Sequence, residues 1–240
     1  MPQLSVIIPA LNEAASIGHV VRAMPWDRIA ECIVVDNGST DGTAEVARAA
    51  GARVVTSPRG YGNACLAGSL AALPTSEILV YCDGDGSDVL SQMPLLVDPI
   101  VAGREDFVIG SRVRGRREQG SMLGSQIFAA HLVGVLLRLV PSVRRAATYT
   151  DMGAFRAIRR SSFAALGMSE LTYGWNLEMQ IKAAQRGLRI LEVPVDYRCR
   201  IGGVSKVAGD FRASLKAAVR IFEVLFRVGF AGKALPAPRV

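Results

Sequence analysis

The chain has 240 residues, half of them apolar and a fifth charged, which excludes a disordered polymer and leaves room for one large globular unit with a buried core. Its 24 glycines and 11 prolines follow no period, and Cys32, Cys65, Cys82 and Cys199 form no CxxC pair, so collagen-like, solenoid, zinc-ribbon and disulfide-scaffold readings fall away and a reducing compartment fits. The formal net charge of +7 is unevenly divided, with 6 Arg, no Lys and 13 acids in residues 1–111 against 22 Lys and Arg and 8 acids in residues 112–240; this pattern predicts an acidic, metal-holding half and a basic half facing an anionic partner, or simply an Arg-rich solvated surface.

Short Val- and Ile-rich runs alternate with helix-period segments, the pattern of a mostly parallel sheet covered by helices. Strands are predicted at Leu4–Pro9, Glu31–Asp36, Arg53–Thr56, Ile78–Cys82 and Phe107–Gly110, with helices at Ala14–Met24, Thr43–Ala50, Gly62–Leu73 and Met93–Ala102 between them. The first 111 residues therefore read as a doubly wound α/β half, whose ligands belong at the carboxyl ends of the strands. Polar clusters fall at those ends: Asn12-Glu13, Asp36-Asn37-Gly38-Ser39, Asp83-Gly84-Asp85 and Ser111-Arg112.

Beyond Arg112 come a basic loop, Arg114-Gly115-Arg116-Arg117, an apolar helical stretch Ile127–Val140, a basic pair Arg144-Arg145, and a strand near Met152–Ala157. Helices at Ser161–Leu166 and Trp175–Arg186, a strand at Ile190–Val195 and a long terminal helix from Asp210 to about Val228 complete the reading. In that last helix Phe211, Leu215, Ala218, Phe222, Leu225, Phe226 and Gly229 share one face, with Arg212, Lys216, Arg220 and Arg227 opposite. Such a basic amphipathic helix either docks on the core with a solvated cationic face or lies at an anionic membrane surface. The Ile127–Val140 stretch would span about 21 Å at ~1.5 Å per residue, short of a ~30 Å hydrocarbon core. The N-terminus has no basic n-region and reaches Glu13 after one short apolar run, so it does not read as a signal peptide and a cytoplasmic location is expected.

The sharpest motif is Asp83-Gly84-Asp85. Two carboxylates one residue apart, after an apolar strand, can reach one divalent cation, and hard oxygen ligands suit Mg²⁺ or Mn²⁺ bridging a diphosphate. Counted from Asp83 as a calcium loop, the sixth position is Asp88 and the twelfth Pro94, where Gly and Glu are required, so that reading fails. Asp36 at a strand end can accept from a ribose or base edge, while Asp41 suits a helix cap. Neither a G-x-G-x-x-G nor a G-x-x-x-x-G-K-[ST] run occurs, and Gly60-Tyr61-Gly62-Asn63 lacks the lysine of a phosphate loop.

Taken in order, Ser5-Val-Ile-Ile-Pro9-Ala10-Leu-Asn12-Glu13, Val35-Asp36-Asn-Gly-Ser-Thr-Asp41-Gly-Thr43, Asp83-Gly84-Asp85 and Gly110-Ser-Arg112 resemble the motifs of glycosyltransferase family 2, with its GT-A fold. The second half is similar to the polyprenyl-phosphate sugar transferases: Asp151-Met-Gly153-Ala-Phe155-Arg156-Ala looks like their D-x-x-x-G-F-R-A motif one residue short, and Glu192-Val-Pro194-Val with Arg200, Gly203, Ser205 and Lys206 looks like their E-V-P…R-x-x-G-x-S-K segment.

The resemblance implies a single catalytic domain over residues 1–230, divided into a nucleotide-sugar half (1–111) and an acceptor- and membrane-facing half (112–230), with a tail at 231–240. It implies a nucleotide-sugar donor resting on Pro9, Ala10, Asn12, Glu13 and Asp36, and a Mg²⁺ or Mn²⁺ ion held by Asp83 and Asp85 beside Gly84. Arg112, Arg156, Arg200 and Lys206 would face donor or acceptor phosphates. Asp85, Arg112 and Asp151 are the expected catalytic residues, with Ser87, Asp88 or water completing the metal's ligands. An ionised phosphate acceptor needs no dedicated base, so His19 and His131 are expected to be structural. The expected reaction is inverting hexosyl transfer from a GDP- or UDP-sugar to a polyprenyl phosphate at the inner membrane face, the protein being peripheral there. A soluble acceptor, with the apolar helices forming a homodimer interface, is the alternative. A non-catalytic anionic-surface or nucleic-acid module is the remote one, weakened by 6% aromatics and the lack of a nucleic-acid signature.

Overall fold

The computed structural model describes residues 3–122, 124–146, 149–202 and 219–230. Seven strands make one mixed sheet: β1 (Gln3–Ala10), β2 (Glu31–Asp36), β3 (Arg53–Thr56), β4 (Ser76–Tyr81), β5 (Phe107–Ser111), β6 (Arg156–Arg159) and β7 (Ile190–Pro194), in the order β3-β2-β1-β4-β6-β5-β7. Among them β6 alone is antiparallel, inserted between β4 and β5, while β7 pairs parallel with β5.

Side chains alternate across each strand. Leu4, Val6 and Ile8 of β1 pack with Ile17, Val20 and Val21 of α1 (Ala14–Arg22), Ala47 of α2 (Thr43–Ala49) and Leu96, Val97 and Ile100 of α4 (Met93–Val101). Ile7 faces the other layer, with Ala64 and Cys65 of α3 (Tyr61–Ala71) and the cluster that includes Val133 and Leu137 of α5 (Gly124–Arg138), Val143 of α6 (Pro141–Ala146), Phe163 and Leu166 of α7 (Arg160–Leu166), and Leu177 and Ile181 of α8 (Trp175–Gln185). Because helices cover both faces, the strands read as continuous apolar runs. Each fully buried aliphatic side chain contributes about 1.5–3 kcal/mol.

The elements expected up to β5 lie within two residues of those observed. The second half differs more. The strand expected near Met152–Ala157 begins only at Arg156; Asp151 to Phe155 form a loop, tied to β5 where the Gly110 amide donates to Phe155 O at 2.9 Å. Pro141 starts a separate helix, α6; a proline is tolerated in the first helical turn and disfavours helix before it, so the apolar stretch breaks there. Of the long terminal helix, residues 219–224 are helical and pass into a π-helical turn, Leu225–Phe230; the remainder, with Arg212 and Lys216, lies outside the described residues. No helix among the described residues is long and apolar enough to cross a membrane.

Candidate active site

The parallel strands β1, β2, β4 and β5 end on one edge of the sheet, so the polar clusters that follow them open onto a common cavity of about 1220 Å³. Pro9, Ala10, Leu11 and Glu13 come from the end of β1, Asn37 from β2, Asp83, Gly84 and Asp85 from β4, and Arg112 from β5. The loop before α8 supplies Thr172 and Tyr173, α8 supplies Asn176, and Tyr197 and Arg200 follow β7. That loop lies hard against the start of α3: a Cβ on Gly62 would come within 2.3 Å of the Glu170 carbonyl oxygen, and the Asn63 amide donates to Leu171 O at 3.0 Å.

Three carboxylates converge after β4. Asp85 is 5% exposed; its Oδ1 accepts from the Ser87 amide at 2.9 Å and the Ser87 hydroxyl at 2.5 Å, and its Oδ2 pairs with Arg200 at 3.0 Å. Asp88 Oδ2 accepts from the Asp83 amide at 2.9 Å. Burial, then the neighbouring Asp88 and Asp85 charges, pushes the Asp83 carboxyl up to about 8, and burial pushes Asp88 up to about 6. Burial and carboxylate crowding both favour the neutral acids here, which a bound cation would reverse. Among the described residues no group of three or more His, Cys, Asp or Glu side chains is disposed to hold a metal unaided. The donor set does fit a divalent cation shared with a diphosphate: Asp83 and Asp85 offer hard oxygens, and the other positions fall to phosphate oxygens and water.

Arg112 stands opposite. Its Nε donates to Asp151 Oδ2 and one terminal nitrogen to Oδ1, each at 2.8 Å, while its own amide donates to Oδ2 at 2.9 Å. The guanidinium lies over the Tyr197 ring, 5.1 Å from its centroid. Burial works against both charges, but Arg112 holds the Asp151 carboxyl below its ordinary range and Asp151 holds the guanidinium protonated. Behind them, buried Glu192 accepts from the Thr150 and Asp151 amides at 2.8 and 3.2 Å, fixing the loop that carries Asp151.

The terminal helix closes another side of the cavity with Val219, Arg220 and Glu223. Arg220 donates to both oxygens of buried Glu170, at 3.0 and 2.9 Å, and Arg227 reaches the same carboxylate at 2.9 Å. These two arginines belong to the cationic face expected at solvent or at an anionic membrane; they reach the buried Glu170 while keeping 34% and 46% of their side chains exposed, and of the apolar face Leu225 is buried while Phe222 and Phe226 are exposed. Both contacts orient this segment: Val224 and Leu225 enter the core with Ile221 and Val228 packed beside them, and the arginines compensate a carboxylate that would be costly to bury alone. For residues 219–230 the helix docks on the core.

Of the expected site residues, Pro9, Ala10, Glu13, Asp83, Gly84, Asp85, Arg112 and Arg200 line the cavity. Asn12 does not: at φ 51° it turns between the first two loops, its amide donating to Ser39 Oγ and its Oδ1 accepting from the Thr40 amide. Asp36 accepts from the Ser39 amide at 2.9 Å and leaves the lining to Asn37. Asp151 lies behind Arg112. Arg156, expected on phosphate, is fully buried and donates to the carbonyls of Gly153 and Asn176, so it props the floor from beneath. Lys206 lies outside the described residues. Sequence reasoning missed Arg59, Tyr61, Thr172, Tyr173, Asn176 and Arg220, which come from segments without a motif and meet only through tertiary packing.

The profile of glycosyl transferase family 2 matches residues 5–167. The chain belongs to glycosyl transferase family 2. An uncharacterized glycosyltransferase of Mycobacterium tuberculosis is 36% identical over 223 residues, 92% of this chain and 97% of that protein. A dolichyl-phosphate hexose transferase of Haloferax volcanii is 35% identical over 207 residues, 83% of this chain and 84% of the relative. Among solved structures, glucosyl-3-phosphoglycerate synthase of M. tuberculosis in complex with Mn²⁺, UDP-glucose and phosphoglyceric acid superposes with a TM-score of 0.76 at 23% identity, over 94% of this chain and 79% of that one. The family 2 chain therefore has the GT-A architecture, and it is a glycosyltransferase.

Proposed function

We propose that the protein transfers a hexose from a nucleoside diphosphate sugar to a polyprenyl phosphate by single displacement with inversion. The observation that carries this is the composition of the cavity. Asp83, Asp85, Arg112 and Arg200 supply a charged pole suited to phosphates, and Met152, Tyr173 and Val219 supply an apolar side that continues into exposed Phe222 and Phe226. A substrate with an ionised head and a hydrocarbon tail matches both. The 35% identical dolichyl-phosphate hexose transferase supports the same acceptor class. The exposed row Phe128, Leu132 and Val135 on α5, with Leu139 just past its end, supports a peripheral position at the membrane.

Asp83 and Asp85 would hold Mg²⁺ or Mn²⁺, which when bound neutralises charge developing on the leaving diphosphate. Arg112, locked by Asp151, presents a fixed guanidinium to phosphate oxygens, so little reorganisation is needed as that charge grows. Arg200, paired with Asp85 at 3.0 Å, is placed to follow the same phosphates. An acceptor phosphate oxygen attacks the anomeric carbon, the bond from that carbon to the diphosphate oxygen breaks, and its electron pair leaves with the diphosphate. The acceptor is already ionised near neutral pH, so no proton has to be removed. Asp151, sealed behind Arg112, positions that arginine and does not act as a base. Pro9, Ala10, Glu13 and Asn37 would shape the nucleoside end.

The test is transfer from a panel of radiolabelled GDP- and UDP-hexoses to undecaprenyl phosphate, dolichyl phosphate or 3-phosphoglycerate. Label in the lipid phase supports the proposal. Label moving only to the water-soluble acceptor would replace it with the soluble-acceptor reading, which uses the same charged pole.

A further inference from the structure

The paired segments 112–118 and 196–200 carry six arginines: Arg112, Arg114, Arg116, Arg117, Arg198 and Arg200. Three have partners, Arg112 on Asp151, Arg114 on the Glu192 carbonyl and Arg200 on Asp85. The other three, Arg116, Arg117 and Arg198, have no side-chain hydrogen bond or ion pair among the described residues, and all three line one pocket of about 410 Å³ with Glu118, Asp196 and Tyr197. Tyr197 belongs to this pocket and to the large cavity, so it is their common wall.

The pocket is built on a braced backbone. Gly115 presses against Val195 so closely that a Cβ there would sit 1.8 Å from the Val195 carbonyl oxygen. The Tyr197 amide donates to Arg116 O and the Glu118 amide to Tyr197 O, each at 2.9 Å, and the Arg198 amide donates to Ser87 O at 2.9 Å. The two acids of the pocket are committed to main chain: Asp196 Oδ1 accepts from the Arg116 amide at 3.1 Å and Glu118 Oε2 from the Cys199 amide at 2.7 Å. Three exposed arginines thus line one pocket on a braced backbone, while its two carboxylates accept from main-chain amides. Arginines gathered on one pocket can recognise a tetrahedral oxyanion by bidentate, charge-assisted hydrogen bonds, and a fixed backbone lowers the entropy lost on binding.

We propose that Arg116, Arg117 and Arg198 form a binding site for a phosphate group, separated by Tyr197 from the cavity of the transfer reaction. It goes beyond the glycosyl-transfer reading and does not depend on which acceptor that reaction uses. The phosphate could be carried by a phospholipid headgroup or by a small soluble molecule, and the experiment separates the two.

Arginine modification by phenylglyoxal, mapped by peptide mass spectrometry on the full chain, reads each guanidinium individually. Inorganic phosphate at ten times its Kd is expected to slow modification of Arg116, Arg117 and Arg198 by about tenfold, with exposed Arg48 and Arg104 unaffected. Protection by inorganic phosphate assigns a soluble phosphate. Protection by phosphatidylglycerol vesicles and neither by inorganic phosphate nor by phosphatidylcholine vesicles assigns a lipid headgroup. Equal rates with and without both probes, or a uniform slowing that includes Arg48 and Arg104, would overturn the proposal. As a second measurement, the combined Arg116→Gln, Arg117→Gln and Arg198→Gln variant, with an unchanged circular dichroism spectrum, is expected to lose the binding heat of whichever probe protects the wild type; heat equal to wild type would also overturn it.

Discussion

The Arg112 guanidinium grips the buried Asp151 carboxylate through two hydrogen bonds of 2.8 Å, and the main-chain amide of Arg112 takes the same carboxylate at 2.9 Å. One acid therefore fixes both the side chain and the backbone of the cation that faces the cavity. Asp151→Asn keeps the shape and removes the charge, so it is expected to lower kcat/KM roughly 10–100-fold, about 1.4–2.7 kcal/mol at the transition state. In a double-mutant cycle, Arg112→Gln together with Asp151→Asn should be little worse than Arg112→Gln alone. Additive losses would mean that Asp151 acts independently of Arg112.

Ser87 and the two metal-facing carboxylates should separate by severity. With Asp83 and Asp85 as the proposed metal ligands, Asp83→Asn and Asp85→Asn would each remove a charged oxygen donor, and metal-dependent nucleotide binding is expected to vanish in calorimetry. Ser87→Ala removes a hydroxyl that donates to Asp85 at 2.5 Å and is also hydrogen-bonded to Tyr197, so a weakening of roughly tenfold is expected from the loss of one hydrogen bond to a charge.

Glu170 ties the loop before α8 to the terminal helix through Arg220 and Arg227. Glu170 is buried, but Arg220 and Arg227 keep 34% and 46% of their side chains exposed, so solvent screens the pairs and breaking them costs about 1–3 kcal/mol, mainly in docking of residues 219–230. Glu170→Gln should raise hydrogen exchange in that segment well above wild type while β1 and β4 stay protected.

Glu31 provides a pH test away from the site. Burial raises its pKa, but hydrogen bonds from Ser5, the Leu73 amide and Arg53 outweigh this, leaving it below 4.5. A carboxyl depressed in the folded state adds stability above its unfolded pKa, and that stability is lost as pH falls. Glu31→Gln is expected to cost about 1–3 kcal/mol at pH 7, with the difference from wild type shrinking below pH 4.5 in denaturant titrations.

Much of the nucleotide half was legible in the sequence because parallel strands announce themselves as apolar runs and their polar ends must fall on one edge. Asp83, Asp85 and Arg112 follow directly from that rule. Arg156 did not, since a motif arginine reads as a phosphate ligand until the fold buries it beneath Gly153. Asp36 and Asn12 spend their hydrogen bonds on neighbouring loops, a local choice that composition does not reveal. The orientation of the terminal helix was only partly legible: periodicity found apolar Leu225, which is buried, but not the pull of Glu170, about fifty residues earlier, on Arg220 and Arg227.

The most direct measurement is calorimetric titration of GDP and UDP, with and without Mn²⁺, into wild type and Asp85→Asn. One nucleotide is expected to bind tightly only with metal, and the variant to lose this binding. Equal nucleotide affinity with and without Mn²⁺, unchanged in Asp85→Asn, would contradict a donor site built on Asp83 and Asp85.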